Sequence, residues 1–166
     1  MIPIGSMTIP GHADILLTTD SGEEFNSKVA NIVRWPIKDN LKTSKVTYDA
    51  GTMWSSAKSS SGWVSVKISV SYEIELTGLE IHSQHSGQYH AAKAVRVSVR
   101  DPQGKFVEVA KAQLKSPDEK VKVAKTKGTV WQLEFQATET GIVVLRGLRF
   151  FSGDEELFPP LVPIKP

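Results

Sequence analysis

The chain has no cysteine. That excludes disulfides, thiolate metal sites and a cysteine nucleophile. It does not fix a compartment, because large secreted domains can fold without disulfides. Charge of one sign is lacking too: 20 Lys and Arg against 18 Asp and Glu leave a net charge of +2. So small an excess does not make the basic face that nucleic-acid binding needs. No apolar run approaches the roughly 18 residues of a membrane span. Met1–Thr19 has no charged start followed by an apolar stretch, so no secretory signal is read there. The patterns G-x-S-x-G, H-E-x-x-H, G-x-G-x-x-G and the P-loop are all absent. The acids are scattered, so no carboxylate pair for glycoside hydrolysis can be picked out. No enzyme activity is expected.

Helical periodicity is nearly missing, whereas alternation with period 2 dominates. Val64, Val66, Ile68 and Val70 alternate with Ser65, Lys67 and Ser69; Val95, Val97 and Val99 alternate with Arg96, Ser98 and Arg100. Trp131, Leu133, Phe135 and Ala137 repeat the pattern against Gln132, Glu134 and Gln136. Each such strand turns one face to a core and the other to water. Further strands are read at Ala13–Thr19, Ser44–Tyr48, Glu73–Ser83, Lys105–Leu114, Glu119–Thr126 and Gly141–Phe151. Asp101-Pro102-Gln103-Gly104 is a hairpin turn by its composition, and Ser116–Asp118, Thr126–Gly128 and Thr138–Gly141 mark other turns. Phe25, Val29, Ile32 and Val33 have the spacing of one short helix, with an irregular or extended segment as the other reading. The pattern predicts an all-β antiparallel sandwich of jelly-roll type in a single domain of 166 residues.

Residues 1–11 read as a tail in which Gly5-Ser6-Met7 has the look of a vector-derived junction, and the sandwich is expected over residues 12–157. Residues 158–166 hold four prolines, at 159, 160, 163 and 166, and read as an extended strap or linker.

The middle of the chain resembles the discoidin, or coagulation factor 5/8 type C, family, whose bacterial relatives include the family 32 carbohydrate-binding modules. The resemblance rests on Tyr48-Asp49-Ala50-Gly51-Thr52-Met53-Trp54-Ser55-Ser56 followed by Gly62-Trp63-Val64-Ser65-Val66. Gly78-Leu79-Glu80-Ile81-His82 resembles the strand that leads into the ligand-side loop, and Ile142–Phe151 the closing strand. It implies a galactose-binding-like sandwich with a non-catalytic targeting role. The partner it implies is a glycan, with an attached enzyme or adhesin in a larger multidomain chain, outside the cytoplasm or in the periplasm. It also implies a structural calcium in the Asp49 and Thr52 loop. The family supplies an acid near the closing strand as well, where this chain reads Arg146-Gly147-Leu148-Arg149.

The densest polar constellation is Ile81–His90, which holds three of the four histidines within nine residues. Hydroxyl-rich ligands need directional donors and acceptors beside an apolar or aromatic face, and this stretch carries both. His85, Tyr89 and His90 are therefore the leading ligand candidates, with Gln84, Gln88, Trp54 and Arg34 behind them. The arginine that the family often places near Ser83 or Gln84 is absent. As metal ligands, His82, His85 and His90 follow no established spacing. Trp54, Trp63 and Trp131 read as core, although Trp54 also suits an exposed spike with Met53. Two other readings stay open: a protein- or lipid-binding module using apolar loop residues such as Met53, and an accessory domain with no ligand.

Overall fold

A computed structural model describes residues 15–24, 27–34, 53–83 and 90–158, the side chain of Arg34 excepted. Eight strands and one helical turn follow one another as β1 (Ile15–Thr18), α1 (Asn31–Arg34), β2 (Trp54–Ser55), β3 (Trp63–Ser83), β4 (Ala94–Arg100), β5 (Phe106–Gln113), β6 (Asp118–Gln136), β7 (Val144–Ser152) and β8 (Glu155–Leu157). All pairings are antiparallel, in the order β2-β7-β3-β6-β4-β5, with β1 added to β3 and β8 to β7.

Two long strands make this a sandwich. The first half of β3 lies between β1 and the second half of β6, which continues into β4 and β5. The second half of β3 lies between β7 and the first half of β6. The β3–β6 pair thus passes from one layer into the other, and its register breaks between Ser69 and Ile74 and between Leu76 and Gly78. Such irregularities bend a strand and let it turn a corner. The expected strands Trp63–Val70 and Glu73–Ser83 are therefore one strand, as are Glu119–Thr126 and Trp131–Ala137.

The expected turn at Thr126–Gly128 is corrected accordingly, because Gly128 sits inside β6 opposite Ile74. Its glycine serves packing: a Cβ there would lie 2.7 Å from Val99 Cγ2. The turn at Asp101 is as read. Its amide donates to the Lys105 carbonyl at 2.7 Å, its Oδ1 accepts from the Gln103 and Lys105 amides, and Gly104 takes a φ of +85°.

The alternation is borne out face by face. Val64, Val66, Ile68, Val95, Val97, Leu133 and Phe135 are buried in one cluster with Leu79, Ile81, Leu145, Leu148 and Phe150 from the other layer. Each such side chain stabilises the fold by about 1.5–3 kcal/mol relative to exposure. Trp131 joins them. Trp63 does not: it is half-buried at the start of β3, on the side away from Val64. The Arg96 guanidinium lies 3.9 Å from its ring centroid and donates to Glu134 at 3.2 Å. Strand parity explains the difference, since Trp63 precedes Val64 by one residue.

The possible helix is realised as the single turn α1, with Val29, Ile32 and Val33 buried. Phe158, where the proline-rich segment starts, is buried and packs at 6.2 Å against Tyr72. Residues 159–166 and the expected strand Ser44–Tyr48 lie outside the described residues.

Candidate functional site

One end of the sandwich gathers the departure of β3 at Ser83, the return of the chain at His90, and the Thr138–Gly141 turn before β7. Ser83 is the hub of this end. Its amide donates to the Pro117 carbonyl at 2.7 Å, and its hydroxyl accepts from the Ala92 amide at 3.2 Å. Its carbonyl accepts from Arg146 Nε, and Arg146 Nη2 pairs with Asp118 Oδ1. The Arg146 side chain is completely buried, and its Nη1 has no partner among the described residues. Where the described chain resumes, the Val144 amide donates to the His90 carbonyl and the Lys93 amide to that of Gln136, both at 2.8 Å. Ser83 and His90, the described residues nearest this stretch in sequence, are therefore both fixed to strands.

His90 is the candidate that the structure describes in place. It is half-buried, and its Nδ1 lies 3.0 Å from Thr140 Oγ1, which in turn lies 3.1 Å from Thr138 Oγ1. Burial lowers its pKa below the ordinary value of 6.5. The neutral ring keeps one donor and one acceptor nitrogen, which suits a hydroxyl-bearing ligand. Thr138 and Thr140 were legible only as turn residues, and their place beside His90 depends on the β6–β7 connection.

His82 belongs elsewhere. Its Nδ1 lies 2.7 Å from Asp118 and its Nε2 3.1 Å from Glu80, so carboxylates take both ring nitrogens. No group of three or more potential metal ligands occurs among the described residues.

Trp54 is corrected from ligand candidate to core residue. It is fully buried in β2, and its indole N–H donates to the Gly22 carbonyl at 2.9 Å. Gly22 holds a φ of +90°, and a Cβ there would come within 2.8 Å of Ala57 Cβ. Met53 is fully buried as well, so it offers no exposed apolar contact. Gln84, His85, Gln88 and Tyr89 lie outside the described residues, as do Asp49 and Thr52. Arg34 ends α1, its side chain likewise outside them.

The calcium implied by the resemblance does not fit the part of its surroundings that is described. Where an acid is called for, β7 carries Arg146 and Arg149, both buried. Arg149 Nη1 donates to the Ile32 and Leu148 carbonyls at 2.8 Å each. Burial lowers its pKa, with Glu156 and Glu80 opposing that effect. A fixed guanidinium repels a divalent cation, and it already engages carbonyl oxygens of the kind calcium would use.

No protein-family model and no curated protein matches the sequence. Solved structures do match. The family 32 module of Clostridium perfringens NanJ, in complex with galactose, superposes with a TM-score of 0.62 at 14% identity, covering 87% of this chain and 97% of the module. This chain has the fold of a family 32 carbohydrate-binding module. The discoidin-like sandwich that the sequence resembles is the one it adopts. CpGH89CBM32-5 from Clostridium perfringens, in complex with GalNAc-β-1,3-galactose, matches with a TM-score of 0.62 at 13% identity, over 87% of this chain and 99% of that one. The Ruminococcus gnavus GH29 fucosidase in complex with fucose matches with a TM-score of 0.62 at 10% identity, over 87% of this chain but 26% of the fucosidase chain. A segment with this fold thus also lies within the longer fucosidase chain. Among the described residues, no helix is long and apolar enough to cross a membrane.

Proposed function

We propose that this chain is a non-catalytic carbohydrate-binding module that takes a galactose-type glycan at the sandwich end carrying residues 84–90. The observation that carries the reading is the near-complete coverage of family 32 modules whose solved complexes hold galactose and GalNAc-β-1,3-galactose. The neutral, half-buried His90 beside two threonine hydroxyls supports it, since such groups exchange hydrogen bonds with sugar hydroxyls without carrying charge. In this reading His85 and Tyr89 are the other leading ligand candidates, with Gln84 and Gln88 behind them. The domain would hold an attached or partner enzyme near its glycan, outside the cytoplasm. A protein- or lipid-binding role is less well supported, because Met53, the apolar loop residue it relied on, is buried.

A glycan array with the purified chain tests the reading. Binding to galactose- or GalNAc-terminated glycans is expected, with loss in the His85→Ala/His90→Ala double variant and an almost unchanged melting temperature. Gln103→Ala, in the distant hairpin turn, should bind normally. Sugar binding retained in the double variant refutes this site.

A further inference from the structure

A second polar cleft lies on a different surface, the outer face of the layer formed by β1, β3, β6, β4 and β5. Its volume is about 270 Å³, and among the described residues it shares no lining residue with the histidine end. Its walls come from the end of β1 and the bend that follows (Thr18, Thr19, Asp20), from the outward positions of β3 and β6 (Ser65, Lys67, Gln132), and from Phe106 at the start of β5. Strand register explains the grouping: Lys67 pairs with Thr18 on one side and with Gln132 on the other, so their side chains share one face.

The chemistry of this cleft is specific in kind. Asp20 Oδ1 accepts from the Ser65 hydroxyl at 3.0 Å, and Thr19 Oγ1 donates to the Ser65 carbonyl at 2.6 Å, so the carboxylate and the floor are held in place. The Gln132 side-chain amide has no hydrogen-bond partner among the described residues, and Lys67 has no ion-pair partner there. The Lys67 ammonium instead stands 6.0 Å from the centroid of Phe106, a ring that is 38% exposed. One carboxylate and one ammonium leave the cleft with no net charge. The rest of its polar lining is hydroxyl and amide, beside one aromatic wall. A neutral ring bearing several hydroxyls answers each of these groups: hydroxyls exchange bonds with Asp20, Gln132 and Lys67, and a C–H face lies against Phe106. The volume suits a single sugar unit.

We infer that this cleft is a second saccharide-binding site, separate from the loop end and independent of the glycan reading made for it. One carboxylate beside one ammonium also suits a zwitterion such as an amino acid, and the test must tell the two apart.

The experiment is an amide-resolved NMR titration of the full chain with methyl β-galactoside, methyl β-glucoside, methyl α-mannoside and N-acetylgalactosamine, and separately with glycine. At least one of the sugars should move the amides of Thr18–Asp20, Ser65–Lys67, Phe106 and Gln132, saturating in about the millimolar range expected of a small polar ligand. Gln132→Ala and Phe106→Ala should each weaken that response about tenfold with an unchanged melting temperature, as loss of one hydrogen bond or one ring face predicts. The response should persist in the His85→Ala/His90→Ala variant. Shifts confined to the Thr138–Val144 end overturn this second site and leave the loop reading standing. No response at the cleft with any of the sugars overturns it, as does a cleft response unchanged by both single variants. Equal shifts with glycine show an amino-acid site and also overturn it.

Discussion

The ion pair of Arg146 and Asp118, beside Ser83 at the end of β3, allows a sharp energetic test. Arg146 is completely buried, and its guanidinium relies on Asp118 and the Ser83 carbonyl, with Nη1 already lacking a partner among the described residues. Asp118 is different, because its side chain is 28% exposed and also bonds His82. Removing the acid therefore strands a buried cation, whereas removing the arginine leaves an acid that water can reach. Asp118→Ala should destabilise the domain by about 3–5 kcal/mol, the usual effect of breaking one side of a buried pair. Arg146→Met removes the buried charge while keeping most of the volume, and should cost about 1–2 kcal/mol, chiefly the lost partner of the Ser83 carbonyl. The Asp118→Ala/Arg146→Met double variant should then be more stable than Asp118→Ala alone, by roughly 1 kcal/mol or more. Urea unfolding at constant m-value measures all three. If the double variant is no more stable than Asp118→Ala, or if Arg146→Met is the worse single change, desolvation of the arginine does not govern this site.

The other predictions concern the core, the strand corner, calcium and pH. Val97→Asp puts a charge at a fully buried position and should unfold a domain whose total stability is roughly 5–15 kcal/mol, whereas Arg96→Ala, on the outer face, should cost about 1 kcal/mol, the worth of its contacts with Trp63 and Glu134; circular dichroism melts separate the two. Gly128→Ala should destabilise by about 1–3 kcal/mol, because its methyl group would meet Val99 at 2.7 Å, and Gly128→Ala combined with Val99→Ala should recover part of the loss. A chelator should leave the melting temperature unchanged, since buried Arg149 stands in the strand where the resemblance calls for an acid; a fall in the chelated protein would refute this. For His90 the folded pKa lies below its unfolded value near 6.5, so the unfolded state binds the proton more readily. Its stabilising contribution is complete above 6.5 and is lost as pH falls through the lower folded value. Sugar binding through its acceptor nitrogen should likewise persist to a lower pH than an unshifted histidine would allow, and a His90 midpoint at or above 6.5 in an NMR titration would contradict it.

The amino-acid sequence alone determined the parity of the strands. Val64–Val70, Val95–Val99 and Trp131–Ala137 alternate because successive side chains leave opposite faces of a strand, a local property that needs no partner to be read. The hairpin turn at Asp101–Gly104 was legible for the same reason: its hydrogen bonds close within five residues. What the tertiary structure decided are relations between distant segments. Thr126–Gly128 has the composition of a turn, yet it lies inside a bent strand because Ile74 pairs with Gly128 and Val99 packs against it. Trp54 looked like a candidate for ligand contact until its indole met Gly22, 32 positions earlier in the chain, across a backbone that only glycine tolerates there. The histidine cluster divided in the same way. Three histidines lie close in sequence, but His82 lies in a strand that brings it to Glu80 and Asp118, while His90 returns beside Thr140. Burial, unpaired donors and cleft walls arise where segments far apart in sequence come together, and a chain read one residue at a time carries no record of which segments those are.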